Sequence, residues 1–130
     1  MIVLDASAVL ELLLRSSGAP AVAARIVSPR QTLHAPHLLD LEVAQVLRRY
    51  CAARVISDER AAMALEDLRA LDLQRYPHEP MLDRIWQLRE NLTAYDAAYV
   101  ALAEALDATL LTFDARLSRA PGNGARVELL

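Results

Sequence analysis

The apolar positions of the chain alternate between short runs that suit strands and longer stretches with a helical period. IVLD (2–5) is an aliphatic run ending in an acid, the pattern of a short buried strand. SAVLELLL has helical character until Gly18 and Pro20 interrupt it, and Pro20 suits the first turn of a second helix, AVAARIV. TLHA (32–35) predicts a second strand ended by Pro36. From Leu38 to Ala53, Leu39, Val43, Val46, Leu47 and Tyr50 fall on one stripe of an amphipathic helix. Ser57 suits the N-cap of the next helix, ISDERAAMALEDLRAL, and LDLQRY (71–76) reads as a third, weaker strand. Met81 to Glu90 predicts a further helix with Ile85, Trp86 and Leu88 as its apolar positions, and Thr93 caps the helix after it. TLLTF (109–113) is a buried strand followed by Asp114, ARLSRA is a short helix, PGNG is a turn and RVELL alternates as a last strand.

Strands separated by helical stretches predict an α/β fold: three layers, α/β/α, around a central, mostly parallel sheet. No repeat, linker or low-complexity segment divides the sequence, so residues 1–130 are expected to form one domain.

Composition narrows this picture. Hydrophobic residues make up 55% and charged residues 24%, which fits a compact domain and excludes a disordered chain. No apolar run approaches the ~18–20 residues of a membrane span. The opening MIVLDASAVLELLL carries an acid at position 5 and no basic flank, unlike a signal peptide, so a cytoplasmic protein is expected. The single cysteine, Cys51, cannot form an internal disulfide and reads as a packed helical side chain. The net charge of −3 lacks the basic footprint of a dedicated nucleic-acid binder. All 14 basic residues are arginine, which excludes any mechanism needing a catalytic lysine.

The candidate chemistry lies in four acids. Asp5 and Asp114 end strands, and open parallel sheets bind ligands outside the carboxyl ends of their strands. Glu42 borders the apolar stripe of its helix. Asp96, in NLTAYDAAYVAL (91–102), shares a helix face with Tyr99, Val100 and Ala103. Each acid also has a purely structural reading: Asp5 and Asp114 as helix caps, Glu42 as a solvated helix residue, Asp96 as the third position of a capping box on Thr93. Gathered in one poorly hydrated pocket, however, the carboxylates would raise one another's pKa, and a hard divalent cation, Mg²⁺ or Mn²⁺, would relieve the repulsion. Nothing else supplies a nucleophile: Ser7 and Ser118 lack a GxSxG context, and His34, His37 and His78 lack metal-ligand spacing.

Taken together, IVLDASAVLELL, the glutamate of LLDLEVAQVL, LTAYDAAYVALAEAL and LLTFDARLSRA resemble a PIN domain of the VapC type, the toxin ribonucleases of bacterial toxin–antitoxin pairs. The likeness runs from Met1 to Ala120. It implies an endoribonuclease dependent on Mg²⁺ or Mn²⁺, inhibited by a VapB-like antitoxin that blocks the acidic pocket with a basic side chain. It implies Asp5 and Asp96 as the most direct metal ligands, with Glu42 and Asp114 helping to bind metal or orient water. Ser7 and Thr112 match polar positions that hydrogen-bond beside the cluster. Some relatives carry another acid where this chain has Arg116, which favours one metal over two.

Hydrolysis of that kind needs no 2′-OH and leaves a 5′-phosphate. Arg15, Arg48, Arg49, Arg89, Arg116 and Arg119 are candidates to hold RNA phosphates, and surplus apolar surface on helices 38–53 and 57–71 suits a homodimer and a higher toxin–antitoxin complex. Two rivals share the fold: an RNA-processing nuclease without an antitoxin, and a non-catalytic module that binds RNA or protein. A receiver domain or a dehalogenase-type phosphatase would each need a lysine that the chain lacks.

Overall fold

A five-stranded sheet runs through the computed structural model, which describes residues 1–130. Its strands are β1 (Ile2–Leu4), β2 (Leu33–Pro36), β3 (Leu73–Tyr76), β4 (Thr109–Thr112) and β5 (Arg126–Leu129), in the order β3-β2-β1-β4-β5. Every neighbouring pair is parallel, so the sheet expected to be mostly parallel is wholly so. All five strands lie within a residue or two of the predicted runs.

The helices are α1 (Ala6–Leu14), α2 (Ala19–Ile26), α3 (Leu38–Ala52), α4 (Asp58–Ala70), α5 (Leu82–Gln87), α6 (Ala94–Leu106) and α7 (Ala115–Arg119). Right-handed crossovers place α1–α4 over one face of the sheet and α5 and α6 over the other. The packing agrees: α1 touches α2, α3 and α4, whereas α5 packs on α6. From Ala97 to Ala103 every residue of α6 is buried, because this helix lies across β1, β2 and β4 and is itself covered by α5. Its small alanines let it approach the sheet closely. The strand order reverses between β1 and β4, and open parallel sheets bind ligands at such a switch point, beyond the carboxyl ends of the strands.

Local signals behave as expected at most boundaries. Ser57 caps α4 by accepting from Arg60 N at 3.1 Å, and Thr93 caps α6 by accepting from Asp96 N at 3.1 Å. Proline does not end β2 where the sequence suggests; Pro36 is its last residue, paired with Tyr76 of β3. β1 pairs with β2 only through Ile2 and Val3, so the missing proline N–H leaves no ladder bond unmade. The chain then re-enters the ladder with His37 N donating to Tyr76 O at 2.8 Å.

The helix predicted over 81–90 is shorter. A 3₁₀ turn, Glu79–Met81, leads into α5, which stops at Gln87 and closes in tight turns through Leu92. Met81, Ile85 and Leu88 form its buried face, spaced three and four apart. Trp86, next to Ile85, is rotated off that stripe and stands 68% exposed. Two of the histidines make structural hydrogen bonds. His34 is buried in β2 between Thr32 Oγ1 (2.8 Å) and Tyr76 Oη (2.7 Å), and His78 Nε2 accepts the Leu38 N–H at the start of α3.

Leu110, fully buried at the centre of β4, tests this core. Leu110→Ala is expected to cost 2–5 kcal/mol, measured as a lower denaturation midpoint at unchanged slope; a loss under 1 kcal/mol would contradict the packing described.

Candidate active site

Asp5 follows the central strand and is 7% exposed. Its Oδ1 accepts from Ala8 N at 3.0 Å, so it caps α1, as the structural reading of this residue anticipates. The same oxygen also accepts from Ser7 Oγ at 2.6 Å, and Oδ2 accepts from Thr112 Oγ1 at 2.5 Å. Each hydroxyl in turn accepts a backbone N–H from the segment after β4: Phe113 N donates to Ser7 Oγ at 3.0 Å and Asp114 N to Thr112 Oγ1 at 2.9 Å. Two side chains thus clamp the Asp5 carboxylate and stitch the ends of β1 and β4 together. Capping and site-building are one arrangement here, not alternatives.

The other acids come to the same end of the sheet from different elements, near enough to influence one another electrostatically. Glu42 is half-buried on α3, its Oε1 accepting from the buried Tyr99 Oη at 2.6 Å. Asp96 is half-buried in the first turn of α6. Asp114 caps α7 by accepting from Arg116 N at 2.9 Å, and the Arg116 guanidinium grips it twice, Nη2 to Oδ2 at 2.8 Å and Nε to Oδ1 at 3.2 Å. Arg116 itself is 87% exposed at the mouth of the site.

Electrostatics tie the four into one group. Burial pushes the Asp5 carboxyl above the ordinary carboxylate range against the pull of its hydrogen bonds, and Asp96 pushes it further. Burial likewise raises Glu42, opposed by the Tyr99 hydrogen bond and reinforced by Asp96 and Asp5. Asp96 is raised by burial and then by Asp114, with Arg116 and the Thr93 hydroxyl pulling the other way. Asp114 alone is lowered, chiefly by the hydrogen bonds of Arg116.

No group of three or more His, Cys, Asp or Glu side chains is arranged to hold a metal ion. The acids share a field without being drawn to common ligand distance. Their internal partners explain this: Asp5 is clamped by two hydroxyls, Glu42 is held by Tyr99, and Asp114 is held by Arg116. In chemistry, though, the donor set fits a hard divalent cation, being all carboxylate oxygen with three members whose charged forms are disfavoured.

Tyr99 and Arg116 are the site residues that the sequence analysis does not assign these roles. A buried tyrosine hydroxyl needs a partner, and Tyr99 lies one helical turn from Asp96, which is the one signal that could have found it. Of the six candidate phosphate-binding arginines, Arg15 closes α1 at the end far from the acids, while Arg49 lines a cleft of about 300 Å³ with Glu42 and Tyr95.

The sequence profile of the PIN domain matches residues 2–123. The chain belongs to the PIN-domain family. Ribonuclease VapC1 of Mycobacterium tuberculosis is 47% identical over 129 residues, covering 98% of this PIN domain and 96% of that protein. Two solved structures share its fold at low identity. VapC20 of Mycobacterium tuberculosis, a Sarcin-Ricin loop cleaving toxin, superposes with a TM-score of 0.71 at 14% identity, over 92% of this chain and 94% of that one. VapBC2 from Rickettsia felis, solved with a DNA fragment from its promoter, gives 0.74 at 15% identity, over 100% of this chain and 99% of that one. No helix of this PIN domain is long and apolar enough to cross a membrane.

Because its folded-state pKa is raised, Asp96 favours the folded chain at acidic pH, and that contribution is lost as pH rises through the raised value. Asp96→Asn is therefore expected to raise the melting temperature at neutral pH in EDTA. The gain should fade as pH falls into the carboxylate range, where the native side chain also becomes neutral. A variant less stable than the parent at neutral pH would refute this balance. Tyr99→Phe is expected to move the Glu42 titration, followed by ¹³C NMR, to still higher pH.

Proposed function

We propose that this PIN domain is a divalent-metal-dependent endoribonuclease, the toxin of a toxin–antitoxin pair. The observation that carries this is the electrostatic coupling of Asp5, Glu42, Asp96 and Asp114 at the switch point of the sheet, in a chain 47% identical to a named ribonuclease. Asp5 and Asp96 would hold Mg²⁺ or Mn²⁺ most directly, with Glu42 and Asp114 completing the set. When bound, the cation supplies the positive charge that lets these carboxylates ionise together and offsets the charge of a phosphodiester.

The remaining work falls to residues of the chain itself. Ser7 and Thr112 fix both oxygens of Asp5, so that carboxylate meets its ligand with little loss of freedom. Tyr99 turns one oxygen of Glu42 inward and leaves the other for water or cation. Arg116 keeps Asp114 ionised and presents an exposed guanidinium where a phosphate would enter. Water, oriented by a carboxylate, is the attacking group, and the RNA 2′-OH is not required.

An antitoxin partner is supported by the VapBC2 complex, which shares this fold. A basic side chain from such a partner would neutralise the coupled acids much as a cation would, and Asp114 already accepts a guanidinium from Arg116. Exposed Leu41 on α3, Val55, and Met63 on α4 offer apolar surface for pairing with a second copy.

Antitoxin-free protein incubated with a structured RNA pool is expected to give discrete 5′-phosphate cuts in Mg²⁺ or Mn²⁺. EDTA should abolish them, and Asp96→Asn should reduce them at least ~100-fold, an effect of the size lost with key electrostatic groups, while circular dichroism stays native. Cuts that persist in EDTA or in Asp96→Asn would rule out the acidic group as the nuclease centre. Absent cleavage, with metal still raising the melting temperature, would favour a binding module.

A further inference from the structure

The segment that leaves β4 carries two of the groups that build the acidic site. Thr112 donates to Asp5 Oδ2, and Asp114 is one of the four acids. Phe113 lies between them, so its placement bears on both. Its backbone N–H donates to Ser7 Oγ at 3.0 Å. What receives its ring is a residue with no side chain.

A Cβ built on Gly18 would stand 2.6 Å from Phe113 Cζ and 2.7 Å from Cε1, where ordinary contact begins at 3.4 Å. It would also meet Glu11 Oε2 at 2.9 Å. The tip of the Phe113 ring therefore lies directly on the Gly18 backbone. Glu11 closes the notch, its Oε2 accepting from Gly18 N at 2.8 Å. Glu11 follows Ser7 by four residues in α1, so the ring and the amide of Phe113 both rest on one face of that helix.

Backbone conformation does not call for glycine at this position. Gly18 has φ −82° and ψ −12°, angles that any residue adopts. An alanine there would even reduce the chain entropy lost on folding. The missing side chain is required by the ring beside it and not by the turn it occupies.

We propose that Gly18 and Phe113 are positioning residues of the acidic site. The ring, seated on the bare backbone of Gly18, braces the exit of β4 and keeps Phe113 N on Ser7 Oγ. Ser7 Oγ in turn donates to Asp5 Oδ1 at 2.6 Å, so the brace reaches the buried acid through one hydroxyl. It reaches Asp114 through the chain itself. The catalytic consequence rests on the ribonuclease function proposed above; the brace does not.

Phe113 is the only phenylalanine of the chain, so its ring resonances are unambiguous in phenylalanine-labelled protein. In the full, antitoxin-free chain they are expected to show NMR cross-relaxation with the Gly18 Cα protons. Amide exchange of Phe113 and Asp114 reports the clamp directly, because these amides donate to the two hydroxyls that hold Asp5. Leu110, at the centre of β4, serves as the reference amide. Gly18→Ala is expected to speed exchange at Phe113 and to lower kcat on structured RNA in Mg²⁺, each roughly tenfold, since a misplacement of about 1 Å can cost ~100-fold. KM and the exchange of Leu110 should stay unchanged. Phe113→Leu, too short to reach Gly18, should show a similar loss. Joining Gly18→Ala to Phe113→Leu refills the contact and should bring both readouts back to within about threefold of the parent, a coupling expected of residues that touch.

Absent cross-relaxation in the parent overturns the brace, as do parental exchange and kcat in Gly18→Ala. Single losses that simply multiply in the double variant overturn it as well. So does faster exchange at Leu110, because the glycine then serves overall stability. If exchange follows the expected pattern but the parent cuts no RNA in any metal condition, the brace stands and the ribonuclease function fails. If the parent cuts RNA and Gly18→Ala cuts equally well, the ribonuclease stands and the brace fails.

Discussion

A carboxylate kept out of water at the end of the central strand is the constraint on which the rest of this structure turns. Isolated in a protein interior, such a group costs several kcal/mol. Asp5 is tolerated because Ser7 Oγ, Thr112 Oγ1 and Ala8 N all donate to it. The donors come from the first turn of α1 and from the end of β4, and the same hydroxyls accept the amides of Phe113 and Asp114. Loss of any one member leaves a polar group unpaired at a place closed to solvent. The clamp therefore fixes the start of α1, the exit of β4 and the position of Asp114 together.

Around Asp5 the neighbouring acids reach a compromise. Three of them resist ionisation because they are buried and close to one another, while Asp114 ionises readily because Arg116 belongs to its own helix turn. Tyr99 makes the corresponding contribution to Glu42 from the buried face of α6. Asp5, Glu42 and Asp114 each have a partner of their own, while the Asp96 carboxylate has none at hydrogen-bond distance. The proposed divalent ion, or the basic side chain of a protein partner, would offset the charge these acids carry. One physical property would thus underlie both the activity and its inhibition.

The outer surface divides the labour differently. Where a dedicated nucleic-acid binder would spread basic residues, this chain commits four of its 14 arginines to pairs that join elements, such as Arg25 of α2 to Glu128 of β5 and Arg84 of α5 to Glu104 of α6. Exposed pairs of this kind add little stability, but these are bidentate and hold layers in register. Near the acids, Arg116 is engaged by Asp114, and Arg49 lines the cleft that holds Glu42 and the exposed Tyr95.

The sequence by itself determined the alternation of five strands with seven helices and the caps at Ser57 and Thr93, and it marked Asp5, Glu42, Asp96 and Asp114 as candidate acids, while Ser7 and Thr112 came only from the family resemblance. The elements, caps and acids depend on local periodicity and on residue types placed at element ends, which one-dimensional spacing carries. The tertiary structure decided the strand order, and with it that β1 and β4 are neighbours although 104 residues separate Leu4 of the first from Thr109 of the second. It decided that Trp86 faces water while Ile85 and Leu88 face the core, since α5 is too short for its stripe to be read from period alone. It also decided that Pro36 stays within β2, that Tyr99 serves Glu42 and that Arg116 serves Asp114. The physical reason is common to all of these: a hydrogen bond or a burial between distant elements is set by which surfaces the packed sheet brings together, and that information exists only once the layers have closed.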